Sequence, residues 1–258
     1  MVNLQTNPTP LPGRKKTEPR KAMKKTLFLL LLAATYALSA SPKKDDYSNV
    51  PPEFKDARDG QIYKVVKIGD QVWMAENLKY NASQSFCYED RYTVCKTNGR
   101  LYTWLGAMDL QDKFKGERYT KLKKKHQGVC PAGWHLPTNE EWQTLAKAVE
   151  GVKDTCNEDD VCSWKNVGNA LKATAGWETE DGETSNGENT SGFAAIPSGH
   201  KDMLSNFEGL GAIAKYWSVN EGIGNEYDAY GWTISGDMLY FEAGYKNEAY
   251  SVRCIRNF

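Results

Sequence analysis

The chain has 258 residues, 33 basic against 33 acidic side chains, six cysteines and 12% aromatic residues. That length suits one large domain or two small ones. No Walker loop, dinucleotide fingerprint or zinc-protease helix occurs, and no CxxC or HxxxH spacing suggests a zinc site.

Residues 1–22 ("MVNLQTNPTPLPGRKKTEPRKA") are polar and Pro-containing and read as a start-site extension ahead of Met23. From Met23 the pattern changes. Two lysines precede an apolar run, 26–38 ("TLFLLLLAATYAL"), and the small residues Ser39, Ala40 and Ser41 follow. This is the layout of a secretory signal peptide, assigned here to 23–40. The run is shorter than the roughly 20 apolar residues that cross a bilayer. The chain is therefore expected to be exported (periplasmic, cell-surface or extracellular) with no stable membrane span after cleavage. Excision of residues 1–40 removes seven basic residues and one acidic one, leaving 26 against 32, a net charge of −6. Such a protein has no electrostatic reason to bind nucleic acid or an anionic membrane. The basic run Lys121 to Lys125 reads as a solvated loop.

All six cysteines lie beyond the signal segment, and an even number in an oxidising compartment implies disulfides. Cys87 with Cys95 and Cys156 with Cys162 each share a polar loop and read as local staples. That leaves Cys130 with Cys254.

Residues 41–54 form a flexible linker, and a single α+β domain is expected over 55–258. "QIYKVVKIGDQVWMAENL" is two alternating runs around Gly69-Asp70, a hairpin signal. Leu101, Trp104, Leu105 and Met108 follow i, i+3, i+4, i+7 spacing and predict a short helix over 98–108. In "GVCPAGWHLPTNEEW", Thr138 and Glu141 form a capping box. Trp142, Leu145, Ala146 and Val149 then make one face of a helix over 139–149. A further short helix is expected over 167–173. Residues 177–192 lack apolar periodicity and read as a long surface loop. Beyond it, "GFAAIPSG", "AKYWSVNE", "AYGWTIS", "MLYFEAGY" and "AYSVRCIRN" read as aromatic-rich strands, two of them joined at Gly236-Asp237.

"GQIYKVVKIGDQVWMAENL", "CYED…CKTNGRLYTW", "GVCPAGWHLPTNEEW", "NTSGFAAIPSGH", "YWSVNE" and "SVRCIRN" occur in that order. Together they resemble the Fibrobacter succinogenes major paralogous domain family of exported proteins. The resemblance implies a fold like that of C-type lectins and formylglycine-generating enzymes: two or three helices, long irregular loops and a mainly antiparallel, disulfide-stapled sheet. The Cys130–Cys254 pairing suits that fold. The resemblance implies no activity, and fold is a weak warrant for one.

The lectin comparison implies calcium and carbohydrate. Glu-Pro-Asn and Gln-Pro-Asp triplets are absent, but the 177–192 loop is rich in oxygen donors, and Asp181, Glu183 and Glu188 are its candidate calcium ligands. Trp177, Asn186, Asn189, Asn220, Tyr227 and Tyr230 are the candidate ligand-binding residues. Flat aromatics stack on apolar sugar faces while loop amides take hydroxyls. Formylglycine-type chemistry would need a pair of reactive cysteines near the C-terminus, where only Cys254 lies. No catalytic residue is assigned among His126, His135 and His200. The expectation is a non-catalytic binding or adhesion module for a polysaccharide or another cell-surface component. A structural envelope protein and an oxidoreductase-like enzyme are the alternatives.

Overall fold

The computed structural model describes residues 50–153, 162–179 and 181–258. The start-site extension, the signal peptide, most of the linker, Cys156 and Glu180 lie outside the described residues.

The elements run in chain order as follows. Strands β1 (Glu53–Lys55), β2 (Ile62–Ile68), β3 (Gln71–Met74) and β4 (Ser85–Phe86) come first. Helix α1 (Tyr92–Asn98), strand β5 (Leu101–Thr103), helix α2 (Trp104–Met108), strand β6 (Trp134–His135) and helix α3 (Asn139–Ala148) follow. Then come β7 (Val152–Lys153), β8 (Ser163–Lys165), α4 (Gly168–Leu171), β9 (Ser198–Lys201) and β10 (Phe207–Leu210). The chain closes with β11 (Ile213–Glu221), β12 (Asp228–Ser235), β13 (Met238–Tyr245), β14 (Ala249–Ser251) and β15 (Ile255–Arg256).

The described residues form an α+β architecture with two sheets. The smaller has the order β1-β2-β3-β15-β6, so the last strand is paired between two early ones. The larger has the order β4-β5-β14-β9-β11-β12-β13-β8-β7, with β10 on β9. Pairing is antiparallel except where β11 meets β9 and β14 in parallel.

Local chemistry explains much of this. Gly69 takes a left-handed φ of 58° at the β2–β3 turn, a region that favours glycine because it has no Cβ. The expected capping box is present: the Glu141 amide donates to Thr138 Oγ1 at 3.1 Å, and the Thr138 amide donates to Glu141 Oε2 at 2.9 Å. Among the described residues four α-helices form rather than two or three. The helix expected over 98–108 begins only at Trp104, because Leu101–Thr103 is a strand paired with β14 and β4. The spacing of Leu101, Trp104, Leu105 and Met108 reported burial, which a strand followed by a turn of helix satisfies equally well.

Side-chain alternation along β11 builds the interior. Ala214 and Tyr216 join a cluster with Trp73, Trp142, Trp232 and Phe193, while Trp217 and Val219 join a second with Trp104, Met108 and Tyr250. In the first cluster Trp142 stacks on Trp232 at 5.8 Å and tilts against Trp73 at 5.0 Å. Arg253 lies fully buried among these rings, 4.4 Å from Phe193 and 5.7 Å from Tyr216. Its guanidinium donates to Asn77 Oδ1 and to the carbonyls of Met74, Phe193 and Ala194. Burial pulls its pKa down, and neighbouring groups led by Tyr216 offset part of that. The ring faces and four acceptors stand in for a carboxylate partner.

The Cys130–Cys254 disulfide links the segment before β6 to the start of β15, and Cys87–Cys95 closes a short loop around the first turn of α1. Cys162 is also disulfide-bonded. Its expected partner, Cys156, is outside the described residues.

Candidate functional site

The structure separates the expected ligand-binding residues by role. Trp177, expected on the surface, is 1% exposed, and its indole N–H donates to the Ala195 carbonyl at 2.8 Å. Its ring lies 4.7 Å from the Lys172 ammonium. A buried indole offers no platform to a sugar. Tyr230 is likewise in the core, edge-on to Phe241.

The three asparagines serve the backbone. Asn186 Oδ1 accepts from the Trp177 amide, Asn189 Oδ1 from Ala194 and Asn220 Oδ1 from Asn139 at the start of α3. Short amides hold irregular backbone in this way, and these use their acceptor atoms on the fold. Tyr227 alone of the six is an exposed aromatic, at 50%. Asp181, Glu183 and Glu188 are exposed, and among the described residues no three acidic, histidine or cysteine side chains come together as metal ligands.

The histidines are placed with similar clarity. His126 Nε2 lies 2.8 Å from the Met108 carbonyl oxygen. His135 is buried with Nδ1 2.6 Å from Asn257 Oδ1 and Nε2 2.9 Å from Glu141 Oε1, tying the end of the chain to the capping box. His200 is 9% exposed with Nδ1 unpartnered, and burial pushes its pKa down to about 4, with Lys215 adding to the effect.

His200 borders a polar patch on one face of the larger sheet. There Tyr250 donates to Glu248, and Lys215 pairs with Glu242 at 2.8 Å while lying 5.2 Å from the Tyr250 ring. Burial raises the Glu248 pKa, against the Tyr250 hydrogen bond and Lys215, which lower it. These groups largely satisfy one another. Tyr250 also stacks on Trp217 at 3.9 Å, so the patch anchors β14.

A second site is a surface cleft near the start of β5. A cleft of about 330 Å³ is lined by Asp59, Gln61, Lys79, Tyr80, Asn81, Tyr92, Cys95, Lys96 and Arg100. Three segments build it: the β1–β2 turn, the chain leaving β3, and α1 with Arg100 two residues beyond it. Tyr92, Cys95 and Lys96 share one face of α1 through i, i+3, i+4 spacing. Gly99 ends the helix at φ 82°, where a Cβ would meet Asn77 at 2.5 Å. That tight exit turns Arg100 back toward the cleft.

Tyr92 is 66% exposed at the mouth, with the Lys96 ammonium 5.0 Å from its ring. Tyr80 is covered by the Arg58 guanidinium at 3.9 Å, which Asp56 holds at 2.7 Å. Lys79 pairs with Glu76 at 3.0 Å. Among the described residues no carboxylate pairs with Lys96 or Arg100. With Lys79 neutralised by Glu76, Lys96 and Arg100 stand against one acid, Asp59, and leave this cleft with a net positive charge in a chain whose segment beyond residue 40 is acidic. The spacing of Tyr92, Cys95 and Lys96 on one helical face was the available signal for it. The 88–98 segment carries no apolar periodicity, which hid the helix.

The family model of the Fibrobacter succinogenes major domain matches residues 66–256. The chain belongs to this family. Neither a curated protein nor a solved structure matches it. Within the Fibrobacter succinogenes major domain, the matched span includes Lys79 to Arg100 of the cleft and both fully described disulfides, while Asp59 and Gln61 precede it. No helix among the described residues is long and apolar enough to cross a membrane.

Proposed function

We propose that this member of the family is an exported, non-catalytic binding or adhesion module of C-type-lectin-like architecture. Its ligand is a polysaccharide or another cell-surface component. Export rests on the 23–40 signal pattern. Long loops between paired strands and the covalent tie from Cys130 to Cys254 support the lectin-like reading.

The observation that carries the binding reading is the cleft: an exposed tyrosine at the mouth, a second ring behind it, and lysine, arginine, glutamine and asparagine donors along its walls. Aromatic faces take the apolar side of a sugar and the donors take its hydroxyls. The oxidoreductase-like alternative loses its best thiol, because Cys254 is bonded to Cys130.

The test is retention of the purified, oxidised protein on insoluble plant and bacterial polysaccharides, with calcium and with chelator. Tyr92→Ala should weaken retention about tenfold, the effect of losing a ring contact worth about 1–1.5 kcal/mol. It should leave the melting temperature unchanged, because Tyr92 is mostly solvated. No retention on any polymer would sink the carbohydrate reading and favour the structural envelope protein.

A further inference from the structure

Beside the cleft a disulfide lies against one of its cations. Arg100 Nη1 lies 3.5 Å from both Cys87 Sγ and Cys95 Sγ. The guanidinium is fixed there by two further bonds, Nε to Ser85 Oγ and Nη2 to the Ser85 carbonyl, each 2.9 Å. Among the described residues no carboxylate pairs with it, and Lys96 adds positive charge to the same walls. A bonded disulfide gains little from a cation held so close, whereas a thiolate gains a charge-assisted hydrogen bond.

The second fully described disulfide has the opposite surroundings. Cys130 and Cys254 are fully buried among Val129, Leu136 and Val252, where apolar packing disfavours a thiolate. Both pairs are buried, but one lies beside a cation at the edge of a cleft and the other is sealed in hydrocarbon.

We infer that Cys87–Cys95 is an exchangeable disulfide that accepts electrons from a dithiol entering the cleft, with Arg100 stabilising the thiolates formed. The first thiolate of the dithiol attacks the Sγ of Cys95, a cleft-lining residue that is 4% exposed, so the exchange needs the cleft to admit the dithiol to that sulfur. The Cys87–Cys95 bond breaks, its electron pair goes to Cys87 Sγ, and Arg100 Nη1 receives that thiolate. The second thiolate then attacks the mixed disulfide on the dithiol's own sulfur and releases Cys95 as a thiolate. The dithiol leaves oxidised to a disulfide, the pair is reduced by two electrons, and the two thiol protons of the donor pass to solvent or to the new cysteine thiolates. Lowering the thiol pKa stabilises the reduced form and makes the disulfide the more oxidising of the two.

The experiment equilibrates the full, oxidised protein in graded mixtures of reduced and oxidised dithiothreitol at pH 7. Free thiols are then trapped by alkylation, and peptide mass mapping scores each disulfide separately. Cys87–Cys95 should reach half reduction at a reduced-to-oxidised ratio at least tenfold lower than Cys130–Cys254, a difference of about 30 mV. Arg100→Gln should move that ratio about tenfold toward resistance, and Arg100→Lys should retain most of the parent behaviour. Equal ratios for the two disulfides, or an unchanged ratio in Arg100→Gln, overturn the inference. If Arg100→Gln does not fold, the pH dependence of alkylation of the reduced pair in the parent protein decides. A midpoint below the ordinary cysteine value of about 8.5 supports the inference and one at or above it refutes it.

Discussion

Replacing Trp177 with alanine separates a core role from a surface role most directly. The indole is buried, donates to Ala195 and lies under the Lys172 ammonium, which also donates to Ser185 Oγ and the Gly236 carbonyl. Removing a buried tryptophan ring costs about 3–5 kcal/mol through lost transfer energy and the cavity left behind. This site belongs at the upper end, since the Ala195 carbonyl loses its donor and a buried ammonium loses the ring face beneath it. About 5 kcal/mol is a large share of the whole stability of a domain and corresponds to a fall in melting temperature of roughly 10–20 °C at this size. Trp177→Phe restores most of the volume and loses mainly the N–H, so about 1 kcal/mol is expected. Urea unfolding followed by far-UV circular dichroism measures both. If Trp177→Ala cost less than 1 kcal/mol while abolishing retention on polysaccharide, the ring would have to be a surface platform, and the placement of the 177–192 loop argued here would be wrong.

Arg253→Met should cost about 3–5 kcal/mol in the same assay, because four buried oxygens lose their donor at once. Replacing both Cys130 and Cys254 with serine opens a loop of 124 residues and should cost about 5 kcal/mol in the chain-entropy model, against about 2.5 for the eight-residue Cys87–Cys95 loop. A smaller loss for the longer loop would contradict that model here. His200 has a folded pKa of about 4, below its unfolded value near 6.5, so the unfolded chain binds the extra proton between those values. Its contribution to stability is intact above pH 6.5 and is lost as pH falls toward 4, by about 2 kcal/mol between pH 7 and 5. His200→Asn should flatten that stretch of the urea-midpoint profile, and an unaltered slope would exclude His200 as its source.

The elements legible in the sequence were those whose cause is local. The Gly69 turn, the Thr138–Glu141 box and the Cys87–Cys95 loop each depend on residues within eight positions of one another, and each is present. What escaped depends on tertiary placement. Trp177 opens an acidic segment, and nothing in that segment signals that its first side chain turns inward beneath Ala195. Leu101 to Thr103 became a strand because β14, nearly 150 residues later, supplies its partner. The cleft joins Asp59, Lys79 and Arg100 from three separate segments, so only its α1 face left a trace in residue spacing.

The two fully described cross-links also define how tension would travel through this domain. A pull applied beyond β15 reaches Cys254 and crosses to Cys130, so 131–253 lie off the covalent route between the first and last strands. A second shortcut, Cys87 to Cys95, removes the intervening residues from that route while it remains oxidised. Reduction of the cleft disulfide would therefore lengthen the extensible backbone by one small, discrete step, while the tryptophans between Cys130 and Cys254, Trp142 and Trp232 among them, carried no covalent load.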